Sequence, residues 1–341
     1  MTKREVVLEA LEFRPPPYVP WAWDMTQQCA ERMRRHLGTD DLSGFLDTHF
    51  LTLGSAIGRF EDLGGGRFRD VYGVVWDRSI DPDIGTPVDW PIRRPEDLAR
   101  YDWPDADADV WYDGIERRIA AHPGLFRVFM VGFSLYERAW TMRGMADLLM
   151  DMIARPEFVE RLLDAIVEHD LQQVRRALTF DIDAVYFGDD YGMQTGLIMG
   201  IEHWRHFLKP RLARLFAPVR EAGKYVCMHS CGRVTELFDE LVEIGLNSFN
   251  PFQPEVMDVF AVMRQYHGRL AFHGGMSIQK TLPFGTEDEV RAAAAALIDA
   301  GRNGGYIFSP SHSVPRDVPP ANLVAMMDVV RAQPGAPQFP V

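Results

Sequence analysis

The chain has 341 residues, 47% of them hydrophobic, and 36 Lys and Arg against 49 Asp and Glu give a net charge of −13. These values predict a globular protein with a sizeable core, and the acidic balance argues against nucleic acid or an anionic membrane as a partner. Three Cys cannot supply a disulfide framework and no apolar run reaches about 18 residues, so we expect a cytoplasmic protein without a signal peptide or transmembrane helix.

The first part of the chain predicts short elements rather than a regular repeat. An amphipathic helix near the N-terminus comes before three prolines, and a β-like run over 18–23 follows. A further strand is expected within 45–54. Alternating aromatic and β-branched residues over 66–79 predict a β-hairpin outside the main repeat, and the five prolines of 80–104 indicate an irregular surface segment.

From residue 125 onward, short apolar runs alternate with longer helical patterns. The predicted strands span 125–131, 182–187, 225–228, 248–252, 270–273 and 306–308. The predicted helices are one that ends near residue 153, then 155–178, 201–222, 234–244, 256–266, 286–300 and 320–331. Apolar strands that alternate with helices are typical of a parallel sheet covered on both faces. With the run over 18–23 and the strand expected within 45–54, the chain has seven or eight strand–helix units. This number favours a single α/β domain over 1–341, a (β/α)8 TIM barrel with an N-terminal extension and the β-hairpin as an insertion.

In a TIM barrel, the residues that follow the strands build the active site. Groups able to bind a metal ion or carry a proton follow nearly every predicted strand: Asp24, Glu137, Asp189, Asp190, His229, Cys231, Asn250, Gln253, His273 and His312. Loops are polar in most proteins, so part of this set would be ordinary surface.

The segment 224–232 carries the sharpest motif. Side chains alternate along a strand, so Cys227, His229 and Cys231 share one face. At a rise of ~3.3 Å per residue the two cysteines lie ~13 Å apart, too far for one metal ion to bind both along a straight strand. We favour His229 and Cys231 as the chelating pair, because they lie at the strand end, and place Cys227 in the barrel interior or wall. A thiolate with an imidazole selects zinc.

A catalytic zinc needs a third protein ligand and an open position. His312 is the favoured candidate, since two prolines would rigidify its loop and lower the entropy cost of holding a ligand. His273 competes for this place, although we favour a barrel-lining role for it. Both sites also have an interpretation without a metal ion. His229 could be a hydrogen-bonded histidine beside a buried Cys231, and His312 could be a loop histidine that hydrogen-bonds the backbone.

Four acids are predicted as the catalytic group: Asp24, Glu137, Asp189 and Asp190. Adjacent side chains on an extended segment point apart, so one of Asp189 and Asp190 should face the pocket while the other caps the following helix or pairs with a base. Glu137 begins a helix, where the helix dipole alone would favour an acid.

Five further side chains are predicted to bind substrate: Trp23, Tyr191, Asn250, Gln253 and His273. Trp23 belongs to an aromatic cluster that could bind a flat or apolar group. A Trp-rich wall of the core is an equally good interpretation of that cluster.

Three segments resemble the uroporphyrinogen decarboxylase superfamily, and the resemblance extends over essentially the whole chain: 229–232 (HSCG), 304–310 (GGYIFSP) and 318–323 (VPPANL). It is closer to the zinc-dependent, cobalamin-linked methyltransferase branch than to the decarboxylase. That branch implies a (β/α)8 barrel and a zinc ion held by a His-x-Cys pair and a third ligand, often Cys, in a late loop. His229 and Cys231 match the pair, and the loop Cys falls on His312, which is also able to bind zinc.

The resemblance implies methyl transfer between a small methylated compound and a corrinoid (cobalamin) on a separate protein, with zinc as a Lewis acid. The aromatic strand-end loops fit a methoxy-bearing, aromatic substrate. A polycarboxylate porphyrinogen fits poorly, because 19–28 offers no Arg to pair with carboxylates. The family is compatible with a homodimer, which the sequence neither supports nor opposes.

Two other functions stay open at this point. The first is a metal-independent decarboxylase or other lyase that uses Asp24 and either Asp189 or Asp190. The second is a binding protein that holds a corrinoid or a small ligand without turnover.

Overall fold

The computed structural model describes residues 1–55 and 57–337. Its strands are, in chain order, β1 (Phe50–Gly54), β2 (Glu61–Gly64), β3 (Arg67–Arg69), β4 (Val75–Asp77), β5 (Thr86–Asp89), β6 (Phe126–Val131), β7 (Ala184–Gly188), β8 (Tyr225–His229), β9 (Ser248–Asn250), β10 (Ala271–Met276) and β11 (Tyr306–Pro310). β1 and β6 to β11 form one parallel sheet of seven strands, each hydrogen-bonded to the next in that order.

The eighth position of the barrel is filled by residues 20–22, within the run predicted as the first strand. The Phe308 N–H donates to the Pro20 carbonyl and the Ala22 N–H to the Phe308 carbonyl, which joins the run to β11. On its other side, the His49 N–H donates to the Trp21 carbonyl, beside β1. These bonds close the curled sheet, and the predicted (β/α)8 fold is confirmed.

The predicted hairpin over 66–79 is confirmed as β3 and β4, but the insertion is larger than expected. β2 and β5 pair antiparallel on either side and complete a sheet of four strands. The prediction of an irregular segment over 80–104 was therefore wrong at β5 and at a 3₁₀ helix over Pro95–Arg100. β5 alternates between exposed and half-buried residues, so edge pairing rather than burial defines it.

The helices are α1 (Lys3–Leu11), α2 (Gln27–Leu37), α3 (Ser43–Leu46), α4 (Asp109–Tyr112), α5 (Ile115–Ala121), α6 (Tyr136–Arg143), α7 (Met145–Ala154), α8 (Pro156–Ala177), α9 (Ile201–His203), α10 (Lys209–Glu221), α11 (Phe238–Ile244), α12 (Val259–Tyr266), α13 (Thr281–Phe284), α14 (Glu287–Gly301) and α15 (Pro320–Arg331). A π-helical turn, Trp204–Leu208, precedes α10, and a 3₁₀ turn, Thr235–Leu237, precedes α11. Within the described residues, we find no helix with the length and apolar character needed to cross a membrane.

Local chemistry explains several helix boundaries. Gly144, at φ 90°, divides the helix expected up to residue 153 into α6 and α7. The helix expected over 201–222 is interrupted by the π-helical turn just before Pro210, because proline has no N–H for the regular helical hydrogen bond. At the start of α14, the side chain of Thr286 accepts a hydrogen bond from the Glu289 N–H, and the side chain of Glu289 accepts one from the Thr286 N–H.

Helix α1 covers the N-terminal end of the barrel. Its Val7 and Leu11 are buried in a cluster with inward-facing barrel side chains, among them Cys227, which occupies the predicted interior position. The Gly305 N–H donates to the Ala10 carbonyl at 2.7 Å, tying α1 to the chain that enters β11. The strands are therefore plugged at one end, and the polar strand ends lie at the other.

Candidate metal centre

The end of β8 brings an imidazole and a thiol together. His229 is the last residue of β8, and its Nε2 lies 3.2 Å from Cys231 Sγ. The chain turns at Gly232, which has φ 83°, and the Gly232 N–H donates to Gln253 Oε1 at 2.6 Å. Cys227 lies two residues before His229 in the barrel interior, so His229 and Cys231 are the candidate pair that the geometry brings together.

His312 completes the group. It lies in the loop after β11, and its ring meets that of His229 edge-on, with 5.3 Å between the centroids. One ligand atom each from His229, Cys231 and His312 lies within 4.8 Å of the other two, and we call these residues the His–Cys–His cluster. The separation is compatible with one ion bound at the usual distances of ~2.0–2.3 Å after small side-chain adjustments. The chemistry of this donor set fits zinc.

Burial and neighbouring charges shape the cluster's protonation. Burial lowers the pKa of His312, which favours the neutral imidazole that can coordinate a metal ion. Burial raises the pKa of the Cys231 thiol, and the neighbouring Asp190 carboxylate raises it further. The thiolate therefore needs a bound cation to form, and metal binding would release a proton.

The two adjacent acids separate, as expected for neighbours on an extended segment. Asp190 faces the cluster: its Oδ1 accepts from the Cys231 N–H at 2.7 Å and lies 3.5 Å from His229 Nε2. Asp189 is fully buried and accepts from the N–H groups of Tyr136 and Glu137 at 3.0 and 2.6 Å. It caps α6, which precedes it in the chain, whereas the prediction was that it would cap the following helix or pair with a base.

Glu137 lies on the first turn of α6, held there by Asp189. Burial, together with the negative charges of Asp190 and Asp189, raises the pKa of Glu137 well above its usual value. The shift favours the protonated carboxyl group over the carboxylate.

The predicted substrate-binding residues occupy different positions. Trp23 is buried in the core with its ring edge-on to Phe45. Tyr191 is fully buried, and its hydroxyl donates to Asp189. His273 lines the barrel, where its Nε2 lies 2.6 Å from the Ala22 carbonyl oxygen and burial lowers its pKa to about 4.

Asp24 is exposed. It lies beside the His312 loop, because its backbone carbonyl accepts a hydrogen bond from the Val314 N–H at 3.1 Å. Gln253 supports the turn at Gly232, as described, and Asn250 contacts His229 directly. The substrate contacts of the five residues and the catalytic roles of the four acids stay predictions. Sequence reasoning missed Tyr186, whose hydroxyl donates to Asn250 Oδ1 at 2.7 Å. The alternation of β7, counted back from its end, could have placed Tyr186 on the inner face.

Replacing Gly232 with Ala should distort the turn that carries Cys231. A Cβ at this position would lie 2.3 Å from the Gly192 carbonyl carbon, at a φ that L-residues rarely adopt. We expect ~1–3 kcal/mol of lost stability from the backbone strain, with weaker zinc binding. Gly223→Ala is the matched control: it precedes β8, has φ 68° and open space around it, and should leave zinc affinity unchanged in a competition assay.

The fold and the His–Cys–His cluster define a (β/α)8 barrel with a candidate metal centre at the carboxyl ends of its strands. The family model described as uroporphyrinogen decarboxylase (URO-D) matches residues 77–333. The chain therefore belongs to the uroporphyrinogen decarboxylase family, as its sequence resemblance indicated.

Curated relatives and a solved structure agree with this assignment. The uroporphyrinogen decarboxylase of Paraburkholderia phytofirmans is 24% identical over 259 residues, covering 70% of this chain and 68% of the relative. The uroporphyrinogen decarboxylase of Geobacillus kaustophilus is 26% identical over 260 residues, covering 72% of this chain and 70% of the relative. A methyltransferase from Methanosarcina mazei superposes with a TM-score of 0.69 at 15% identity, over 97% of this chain and 98% of that one. At this identity the superposition shows the shared fold.

Proposed function

We propose that the protein is a zinc-dependent methyltransferase that moves a methyl group between a small methylated compound and a corrinoid protein. The observation that carries the proposal is the His–Cys–His cluster, in which one donor atom from each residue lies within 4.8 Å of the others. Zinc bound there would supply a Lewis acid that polarises the atom bearing the methyl group. The likeness in fold to a methyltransferase supports the same reaction class.

The residues around the cluster suit such a reaction. His229, Cys231 and His312 would hold the ion, and Asp190 fixes the Cys231 backbone by accepting its N–H. Burial and the neighbouring carboxylates raise the pKa of Glu137, which favours its protonated form and makes it the candidate proton donor. It would donate that proton to the oxygen, nitrogen or sulfur left behind when the methyl group departs. Asp189 would act through Glu137, whose helix turn it caps.

The substrate we propose is a small methoxy compound, an aromatic one fitting best. The segment 19–28 carries two Trp and no Arg, which favours an apolar or flat group over a polycarboxylate tetrapyrrole. The second methyl carrier would be a corrinoid on a partner protein, in a cytoplasmic setting.

Metal analysis combined with a methylation assay tests this proposal. Free cob(I)alamin is the probe, and its conversion to methylcobalamin is followed by absorbance with methoxy, methylamine and methylthio compounds. We expect about one zinc ion per chain and methylation by at least one methoxy compound. Full activity in protein that contains no metal would overturn the proposal.

A metal-independent decarboxylase is the second candidate, favoured by the exposed carboxylate of Asp24 beside the His312 loop and by the activity named for the curated relatives. It predicts decarboxylation that survives a chelator and Cys231→Ala but collapses in Asp24→Asn. The zinc methyltransferase predicts the opposite response to the chelator and to Cys231→Ala.

A further inference from the structure

A row of hydrogen bonds runs beside the His–Cys–His cluster across four neighbouring strands. The Tyr186 hydroxyl on β7 donates to Asn250 Oδ1 on β9 at 2.7 Å. His229 Nδ1 on β8 lies 2.6 Å from the same oxygen. Asn250 Nδ2 donates to the His273 carbonyl on β10 at 2.9 Å. Asn250 is buried at the centre of this row, so each of these bonds is shielded from water.

The partners of Asn250 determine which way its carboxamide faces. The His273 carbonyl can only accept a hydrogen bond, so it requires the NH₂ end of the carboxamide. The oxygen end must then face His229 and Tyr186. Since a carboxamide oxygen can only accept, the hydrogen in the contact with His229 belongs to Nδ1. The row therefore selects one tautomer of His229.

We propose that Asn250 is a positioning residue that keeps the proton of His229 on Nδ1 and so presents the Nε2 lone pair toward Cys231. The inference rests on the proposed function for the presence of zinc, but the tautomer itself does not depend on zinc. Nε2 is the nitrogen 3.2 Å from Cys231 Sγ, so the selected tautomer is the one that can coordinate with that thiol. The predicted contact of Asn250 with substrate stays a prediction beside this role.

Tyr186 has a lesser part in the same arrangement. Its hydroxyl occupies the second acceptor position of Asn250 Oδ1 and fixes the plane of the carboxamide. Loss of this hydroxyl leaves the bond to His229 in place. Substitution of Asn250 should therefore weaken zinc binding more than substitution of Tyr186. A purely structural role for the whole row would not predict this difference.

Zinc affinity, measured by competition with a chelating dye, is the first test. Asn250→Leu should bind zinc ~10–100-fold more weakly than the wild type, the range expected for loss of a partner that orients a ligand. Tyr186→Phe should lose less than Asn250→Leu. Asn247→Leu is the matched control, since Asn247 bonds the Val226 N–H at the opposite end of the barrel strands and should keep wild-type affinity. Equal affinity of wild type and Asn250→Leu would overturn the inference.

The second test determines which nitrogen of His229 carries the proton. It uses the wild-type protein, so it does not depend on whether an Asn250 variant folds. Long-range ¹H–¹⁵N spectra of protein labelled at histidine and freed of metal report which nitrogen carries the proton, and His229→Gln assigns the signal. We expect the wild-type proton on Nδ1. A proton on Nε2 would overturn the inference even if zinc binds. A wild type that shows Nδ1–H but binds no zinc would refute the proposed function and leave the tautomer assignment intact.

Discussion

Replacing Cys231 with Ala should remove zinc from the protein and abolish methyl transfer. The thiolate is the one anionic donor of the His–Cys–His cluster, and two neutral imidazoles cannot replace its charge. We expect zinc affinity to fall by more than ~100-fold, beyond the range for loss of an orienting partner. Chelator competition gives the affinity, and cob(I)alamin methylation gives the activity.

Cys227→Ala provides the matched control, because it removes a buried thiol from β8, the strand that leads to Cys231, without touching the cluster. It should cost roughly 1 kcal/mol of stability, by analogy with the loss of a small buried group, and leave zinc content unchanged. If Cys231→Ala retained zinc and activity, the assignment of the metal centre would be wrong. If both variants lost zinc equally, the loss would reflect general damage to the barrel.

The second large effect is expected at Arg138, which links the small antiparallel sheet to α6. Its side chain is 1% exposed, stacks 3.6 Å from the Tyr72 ring centre and lies 3.5 Å from Asp70 Oδ2. Asp70 is fully buried and also accepts from the Trp76 Nε1–H at 2.9 Å. Arg138→Met should destabilise the protein by ~3–5 kcal/mol, because it leaves a buried carboxylate without its countercharge. Denaturant unfolding measures this loss.

The loss should depend on pH. Burial already raises the pKa of Asp70, and removing Arg138 raises it further. A carboxyl whose folded pKa exceeds its unfolded value stabilises the fold most below the unfolded pKa and loses that contribution as pH rises through the folded pKa. Arg138→Met should therefore be closest to wild type near pH 4 and furthest from it near pH 8. Arg69 forms an exposed ion pair with Glu61, so Arg69→Met should lower the free energy of unfolding by less than ~1 kcal/mol at both pH values. A pH-independent loss would contradict this electrostatic origin.

The barrel and the cluster could be predicted because their signals are local. Periodicity located the main strands, and the rule that strand ends carry the site gave ten candidates. The spacing within the segment 224–232 then favoured His229 and Cys231 among them, with His312 as the third ligand. The choice between 229/231 and 227/229 followed from the position of the strand end, and the structure places Cys227 in the interior.

The remaining features depend on contacts between distant segments. That Asp189 caps α6 follows from the packing of β7 beside the end of β6, which the order of residues does not show. The role inferred for Asn250 depends on the register that pairs it with His229. The edge strands β2 and β5 carry little buried surface, so hydrophobic patterning could not reveal them.

The plug that α1 forms at one end of the barrel bears on the order of events during turnover. With Val7 and Leu11 buried against the barrel interior at that end, the candidate metal centre lies at the opposite end, where the strands terminate. On the proposed function, a methylated compound and a bulky corrinoid would then both approach from the strand-end side. The small molecule would enter first and the corrinoid would close over it, so that the demethylated product leaves only after the two proteins separate. Such a compulsory order would make the lifetime of the protein–protein complex a limit on the rate of turnover.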